Sequence, residues 1–373
     1  MSVDLLQRFI TFPTVSRDPL DQFASELAER AESLGGRIHQ FQTSEHKHNV
    51  VAHFGPEGSD GLGLSGHMDV VPVDGQDWSV DPFGQTIDNG RIIGRGACDM
   101  KGFIANVYTV LPRLDLSKLR KGLTLIWTHD EELGCMGASH LQHQAAHLTL
   151  PQQVLIGEPT SGIIFHHHGG HTTIEFTVLG HPAHSSKPHL GKSASTWLFE
   201  IWNTVREWDC WLQSQPSPVT DANPITNVAQ ISSGTAVNII PEHAWMQVGL
   251  RPMPGHQTQS LIANLQERIH VIQNAAKESG VGIQMTVVQS APPMFTNVPN
   301  DLSKAIQQQQ PSVKCTGAPF ATDGGCLAEM GCEPLIWGPG SIDVAHQANE
   351  YVRIDELLHY EHQLESLIRQ WCL

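Results

Sequence analysis

Residues Leu125–Ala138 read LIWTHDEELGCMGA. An apolar run suited to a buried strand ends in three successive carboxylates, Asp130, Glu131 and Glu132, and passes into a loop marked by Gly134 and Gly137. Like charges crowded beside a core repel one another, and a buried carboxylate without a partner takes up a proton. The stretch therefore predicts a cation at the end of this strand. Three further segments resemble it: LGLSG (62–66), VLIG (154–157) and PLIWG (334–338) are short aliphatic runs bounded by Gly or Pro, as the buried strands of an α/β sheet are. Between the first of them and LTLIWT (123–128), Phe103, Ile104, Val107, Val110 and Leu111 repeat at helical spacing.

Working outward, Leu5, Leu6 and Phe9 predict a short first helix, and residues 20–34 a second one, ended by Gly35 and Gly36. The middle of the chain changes character. HTTIEFTVLG alternates, with Ile174, Phe176 and Val178 on one face, and HAWMQVGL does likewise, the mark of half-exposed antiparallel strands. Trp197, Ile201, Val205, Trp208 and Leu212 trace a helical stripe, and Leu261 to Ala276 predicts another helix. The reading is an α/β chain: a mixed-sheet hydrolase domain built from 1–166 and 291–373, with an α+β domain inserted at 167–290. A chain of 373 residues is long enough for two cores.

Composition excludes several functions. A formal net charge of −16 argues against nucleic acid and anionic membrane as partners, and no run approaches the ~18–20 apolar residues of a membrane helix. No signal peptide is readable at the N-terminus. The odd set of 7 cysteines has no CxxC spacing and reads as reduced thiols, so a cytoplasmic protein is expected. GLGLSG (61–66) matches a dinucleotide fingerprint, but no helix follows it; HLGKSA lacks the first glycine of a phosphate loop, and no HExxH occurs. His166, His167 and His168 are expected to pack at the domain junction.

Candidate ligands fall where an α/β sheet presents them, at the carboxyl ends of strands. His67 follows LGLSG, Glu131 and Glu132 follow LTLIWT, Glu158 follows VLIG, His346 lies after PLIWGPG, and Asp99 opens the helix that leads to the third site. One such residue alone is more often structural than functional; five sites at successive strand ends are hard to dismiss. His, Asp and Glu without thiolate suit zinc, cobalt or manganese. A metal pair needs a shared carboxylate, further ligands on each ion, and a carboxylate that stays off the metals to move the proton of the attacking water. Of the adjacent Glu131 and Glu132, one can ligate and the other act as base. Asp69, two residues beyond His67, is placed to hold its imidazole.

The segments SGHMDVVP, GRGACDMKGF, DEELGCMGA, GEPT, GHPAHSS, NIIPEHAWMQVGLRPMPG and GPGSIDVAHQANEYV together resemble, in order along the chain, the di-zinc amidohydrolase and exopeptidase family that includes acetylornithine deacetylase, succinyl-diaminopimelate desuccinylase and aminoacylase. GEPTS and the last segment are most similar to its acetylornithine deacetylase branch. The resemblance implies two zinc ions per chain, with cobalt able to substitute, bridged by Asp99; His67 and Glu158 complete one site, Glu132 and His346 the other. It implies Glu131 as general base, Asp69 as partner of His67, and a cis Asp99–Met100 bond. It implies that the inserted domain is a lid and dimerisation domain whose His184 reaches a neighbouring subunit's oxyanion site, while Arg251 and Asn238 bind the substrate carboxylate. The implied reaction is removal of acetate from N2-acetyl-L-ornithine, with succinyl-diaminopimelate, another N-acyl amino acid or a dipeptide as alternative substrates and a non-catalytic metal-binding scaffold as the rival reading.

Overall fold

The computed structural model describes all 373 residues and divides into two compact units, Met1–His168 with Met294–Leu373, and Gly169–Pro293. The divisions fall at 168/169 and 293/294 rather than at the expected 166/167 and 290/291, because His166–His168 belong to a strand of the first unit. Strand Ile164–His168 pairs with Met294–Phe295 on one side and with Cys315–Ala318 on the other. The histidine run is thus sheet, anchored where His166 Nδ1 meets Thr296 O at 3.0 Å and His168 Nε2 meets Thr322 Oγ1 at 3.1 Å.

In the first unit a 9-stranded mixed sheet has the four strands legible from sequence side by side at its centre. Leu123–Thr128, Leu62–His67, Gln153–Pro159 and Glu333–Gly338 run parallel in that spatial order, so their carboxyl ends open on one edge of the sheet. All but two of their residues are buried, which is why they read as unbroken apolar runs instead of alternating ones. Helices Ser2–Ile10, Lys101–Val110 and Ile354–Cys372 supply the core that covers one face through Leu6, Phe9, Phe103, Ile104, Val107, Leu364 and Leu367. Buried polar tips there are satisfied: Trp127 Nε1 donates to Tyr108 Oη at 3.0 Å, and that hydroxyl donates to Leu27 O at 2.6 Å. No helix is long and apolar enough to cross a membrane.

The second unit is a 4-stranded antiparallel sheet in the order Ile225–Ser233, His243–Arg251, His171–Leu179, Gly282–Ala291. Helices Ala194–Leu212 and Thr258–Glu278 cover one face, their Leu198, Ile201, Val205, Trp208, Leu265 and Ile269 packing with Ile174, Phe176, Val178, Met246 and Val248. The alternation of the two central strands is the direct imprint of one covered and one open face.

One close approach ties the fold to the site. Phe103, fully buried on the helix that begins two residues after Asp99, lies so flat on Gly157 that a Cβ there would sit 1.9 Å from the ring. Only glycine lets the helix that follows Asp99 meet the strand bearing Glu158 this closely. Gly157→Ala should therefore destabilise the protein by about 1–3 kcal/mol or more through overpacking. Gly249→Ala, whose nearest contact would be 3.7 Å away, should stay within about 0.5 kcal/mol. Urea midpoints at unchanged m-value measure both, and equal stability of the two variants would contradict the packing account.

Candidate metal centre

The three carboxylates of the opening stretch part company. Asp130, at a left-handed φ of 50°, turns back to Lys47, whose Nζ lies 2.7 Å from its Oδ1, and to His129 at 3.0 Å. Its cationic partner is Lys47. Glu132 turns to His346, Nε2 to Oε1 2.9 Å. Glu131 is directed elsewhere, with Cys135 Sγ donating toward its Oε1 at 3.6 Å.

Asp99 stands at the centre. Its Oδ1 is 3.0 Å from His67 Nε2 and its Oδ2 is 3.1 Å from His346 Nε2, so one carboxylate faces two imidazoles with different oxygens. Glu158 Oε1 lies 3.7 Å from His67 Nε2. Two overlapping groups result, His67–Asp99–Glu158 and Asp99–Glu132–His346, with the ligand atoms of each within 4.8 Å of one another. The first group is buried, whereas the His346 side chain is 49 % exposed. The Asp99–Met100 peptide is cis, as the resemblance implies.

The charge balance is lopsided. Asp99, Glu131, Glu132 and Glu158 meet two imidazoles and form no ion pair with Lys or Arg. Burial, followed by Asp99, pushes the Glu158 carboxyl well above its ordinary range. Burial likewise pushes Glu131 well up, with Glu158, Glu132 and Asp323 adding to it against the pull of His67. Burial and Asp99 raise Glu132, opposed by His346. Burial works against a charge on His67, but Glu158, Asp69 and Asp99 outweigh it and hold the imidazole well above its usual value. Hydrogen bonds to Asp99 and Glu132 push His346 up to about 10. Asp99 is drawn down, burial being overcome by its bonds from His346 and His67. Protons here occupy the space between hard donors, and the donor set fits divalent cations in their place.

Supporting contacts explain why the donors converge. His67 Nδ1 lies 2.8 Å from the main-chain oxygen of Asp69; a carbonyl only accepts, so Nδ1 carries a proton, while Nε2 faces the acceptor oxygens of Asp99 and Glu158 as a donor and, once deprotonated, has a lone pair for a cation held among them. Asp69 holds the imidazole mainly through this main-chain oxygen, because its carboxylate Oδ1 is 3.6 Å away. That carboxylate is used on the acidic loop: it accepts from Glu131 N at 3.0 Å, Glu132 N at 3.3 Å and Ser16 Oγ at 2.8 Å. One residue thus sets His67, Glu131 and Glu132 together. Two residues not anticipated also join. Glu350 accepts from the main-chain N–H of Cys98 at 2.9 Å and of Asp99 at 3.0 Å. Asp323, 2 % exposed, accepts from Thr128 and sits with Glu131 and Cys135, its Oδ1 unpartnered and its carboxyl raised to about 6 by burial. Both announce themselves only in three dimensions; in sequence they are single acids in loops.

In the second unit, His184 and Asn238 are neighbours: His184 bridges to Ile239, and Ser185 N donates to Asn238 O at 3.0 Å. His184 Nδ1 accepts from Ser186 N at 3.1 Å; a neutral His184 therefore carries its proton on Nε2, which is free to donate. Arg251 is at the other end of the sheet. Strand His243–Arg251 has 9 residues, so roughly 26 Å of extended chain separates the two ends at about 3.3 Å per residue. There Arg251 lines a recess of about 270 Å³ with His171, Asn227 and Gln247, and burial, then Arg251, lowers the pKa of His171. One copy of this unit does not bring Arg251 together with Asn238 and His184.

The model for the peptidase family M20/M25/M40 matches residues 63–370. An acetylornithine deacetylase of Vibrio atlanticus is 31 % identical over 360 residues, covering 94 % of this chain and 92 % of that protein. One from Pasteurella multocida is 32 % identical over 357 residues, covering 93 % and 90 %. Among solved structures, an M20 family metallo-carboxypeptidase of Sulfolobus solfataricus superposes with a TM-score of 0.78 at 20 % identity over 99 % of both chains. A dinuclear metal binding peptidase of the M20 family from Bacillus subtilis gives 0.65 at 14 % identity, over 98 % of this chain and 96 % of that one.

The raised imidazoles have a measurable consequence. His346, pushed up to about 10, and His67, raised well above its usual value, favour the doubly protonated form, from which a divalent ion would displace the Nε2 proton, so loading should release protons and weaken as pH falls. Calorimetry in buffers of different ionisation heat counts them. His346→Ala should remove about one proton from the count; loading without proton release would contradict this electrostatic description.

Proposed function

The chain belongs to the peptidase family M20/M25/M40, and on that premise we propose that it is a zinc-dependent amidohydrolase that removes acetate from N2-acetyl-L-ornithine to release L-ornithine. The observation that carries the proposal is the sharing of Asp99 between two donor groups while Glu131, beside them, belongs to neither. The curated relatives named above support the substrate. In this reading Asp99 would be shared by two zinc ions, His67 and Glu158 would hold one, and Glu132 and His346 the other; cobalt could replace zinc. Bound there, the metal pair supplies polarisation of the scissile carbonyl and acidification of water.

The chain's own groups do the rest. Glu131, half-buried and outside both donor groups, takes a proton from the attacking water and returns it to the leaving amine. Asp69 keeps Glu131 and Glu132 on their separate courses by gripping both main-chain N–H groups. Arg251 clamps the α-carboxylate of the substrate, a bidentate task for guanidinium. His184 offers Nε2–H to the developing oxyanion. The separation of His184 and Asn238 from Arg251 along one strand supports a homodimer joined through the inserted unit, in which His184 and Asn238 serve the partner's site and the unit acts as lid. Asn238 then approaches the substrate carboxylate from the partner, opposite Arg251. All seven cysteines are free, which suits the reducing cytoplasm.

Turnover of a panel of N-acyl amino acids and dipeptides by zinc-loaded protein tests the assignment. N2-acetyl-L-ornithine should give the highest kcat/KM, and Glu131→Gln should lose about 10²–10⁴-fold in kcat while keeping both metals, because it removes only the proton carrier. Preference for a succinylated substrate or a dipeptide would reassign the substrate. Full activity of Glu131→Gln would overturn the mechanism.

A further inference from the structure

Arg95 and Glu350 form a fully buried pair, Nη1 to Oε2 2.7 Å, each side chain 1 % exposed. Such a pair contributes little net stability, since desolvation offsets the attraction, and here Arg95 Nε is left without a partner. Its contacts lead instead to the metal centre from two sides. Through Glu350, whose other oxygen accepts from the N–H groups of Cys98 and Asp99, the guanidinium fixes the main chain of Asp99. Its Nη2 donates to Gln76 Oε1, and Gln76 Nε2 donates to the main-chain oxygen of His346 at 2.8 Å. Trp78 holds the same Gln76 oxygen at 3.0 Å, and its ring lies under the guanidinium at 5.1 Å.

The turn that carries His346 needs such support. His346 and Asn349 both adopt left-handed φ angles, 61° and 60°, which non-glycine residues keep only where the surroundings over-determine them. Asn349 is held by Ser79 N and Oγ at 2.9 and 2.8 Å, and Gln347 O lies 3.4 Å from Arg95 Nη1. One guanidinium thus reaches, through one residue on each side, the two loops whose spacing decides whether Asp99 can serve both donor groups.

We infer that Arg95 is a positioning residue that sets the two halves of the metal centre at their working distance, holding Asp99 through Glu350 and His346 through Gln76. The inference rests on the two-metal reading above. It assigns distinct consequences to three substitutions. Gln76→Ala loosens only the His346 side. Arg95→Lys keeps a positive charge beside Glu350 but lacks the fork that reaches Gln76 as well, so it should behave as Gln76→Ala does. Glu350→Gln frees the shared Asp99 and should disturb both halves.

The test is stepwise cobalt(II) titration of the chelator-stripped full-length protein, followed by calorimetry and visible absorption. Gln76→Ala and Arg95→Lys should each weaken one of the two binding steps by about 10–100-fold, with the other within about twofold, and alter the spectrum of the weakened step. Gln76 is half-buried; metal-free Gln76→Ala should keep a cooperative thermal transition and the parent's circular dichroism, separating positioning from a general loss of fold. Glu350→Gln should weaken both steps; if it does not fold, the first two variants decide. Parent protein that binds two cobalt ions beside Gln76→Ala and Arg95→Lys proteins with unchanged affinities and spectra would overturn the inference alone. Failure of the parent to bind two ions would overturn the two-metal reading and this inference with it.

Discussion

Asp99 offers one oxygen to His67 and the other to His346, and the rest of the centre is arranged around that divided carboxylate. Four acidic side chains gathered beside two imidazoles would be ruinous without cations, since each buried charge needs a partner. The protein collects them nonetheless, at the carboxyl ends of parallel strands, where main-chain direction brings residues from distant segments to one edge. The raised carboxyls of Glu131, Glu132 and Glu158 and the raised imidazoles are two expressions of one fact: the site is built for positive charge.

Convergence at this scale rests on contacts that are not themselves donors to a metal. Gly157 lets Phe103 settle on the strand of Glu158 and so draws the segment of Asp99 inward. Asp69 couples the imidazole of His67 to the main chain of the two glutamates. Glu350 seizes the main chain at Asp99 itself. Each contact acts on backbone position, which is how a site reaches the sub-ångström tolerance that two-metal chemistry demands.

Much of this was legible in the sequence, for a physical reason. Strands buried on both faces leave continuous apolar runs, so Leu62–His67, Leu123–Thr128, Gln153–Pro159 and Glu333–Gly338 could be read directly, and with them the edge where His67, Glu131, Glu132, Glu158 and His346 gather. The outer strand Arg37–Ser44 and the edge strand Ile225–Ser233 escaped notice because their exposed faces carry mixed residues with no apolar period. Glu350, Arg95 and Asp323 escaped as well. Their partners lie 252, 255 and 195 residues away, and an acid or an arginine in a loop looks the same whether solvated or buried. Spacing puts Asp69 near His67, but an extended chain does not reveal which of its oxygens the imidazole meets; it is the main-chain one.

The second unit holds Arg251 in a recess at one end of its sheet and His184 with Asn238 at the other. The proposal as a whole turns on whether the divided carboxylate of Asp99 joins two ions. Electron paramagnetic resonance of the protein loaded with two equivalents of manganese(II) tests that most directly. A shared Asp99 predicts an exchange-coupled spectrum at two equivalents that is absent at one and lost in Asp99→Asn. Two independent mononuclear signals, or saturation at a single ion per chain, would contradict it.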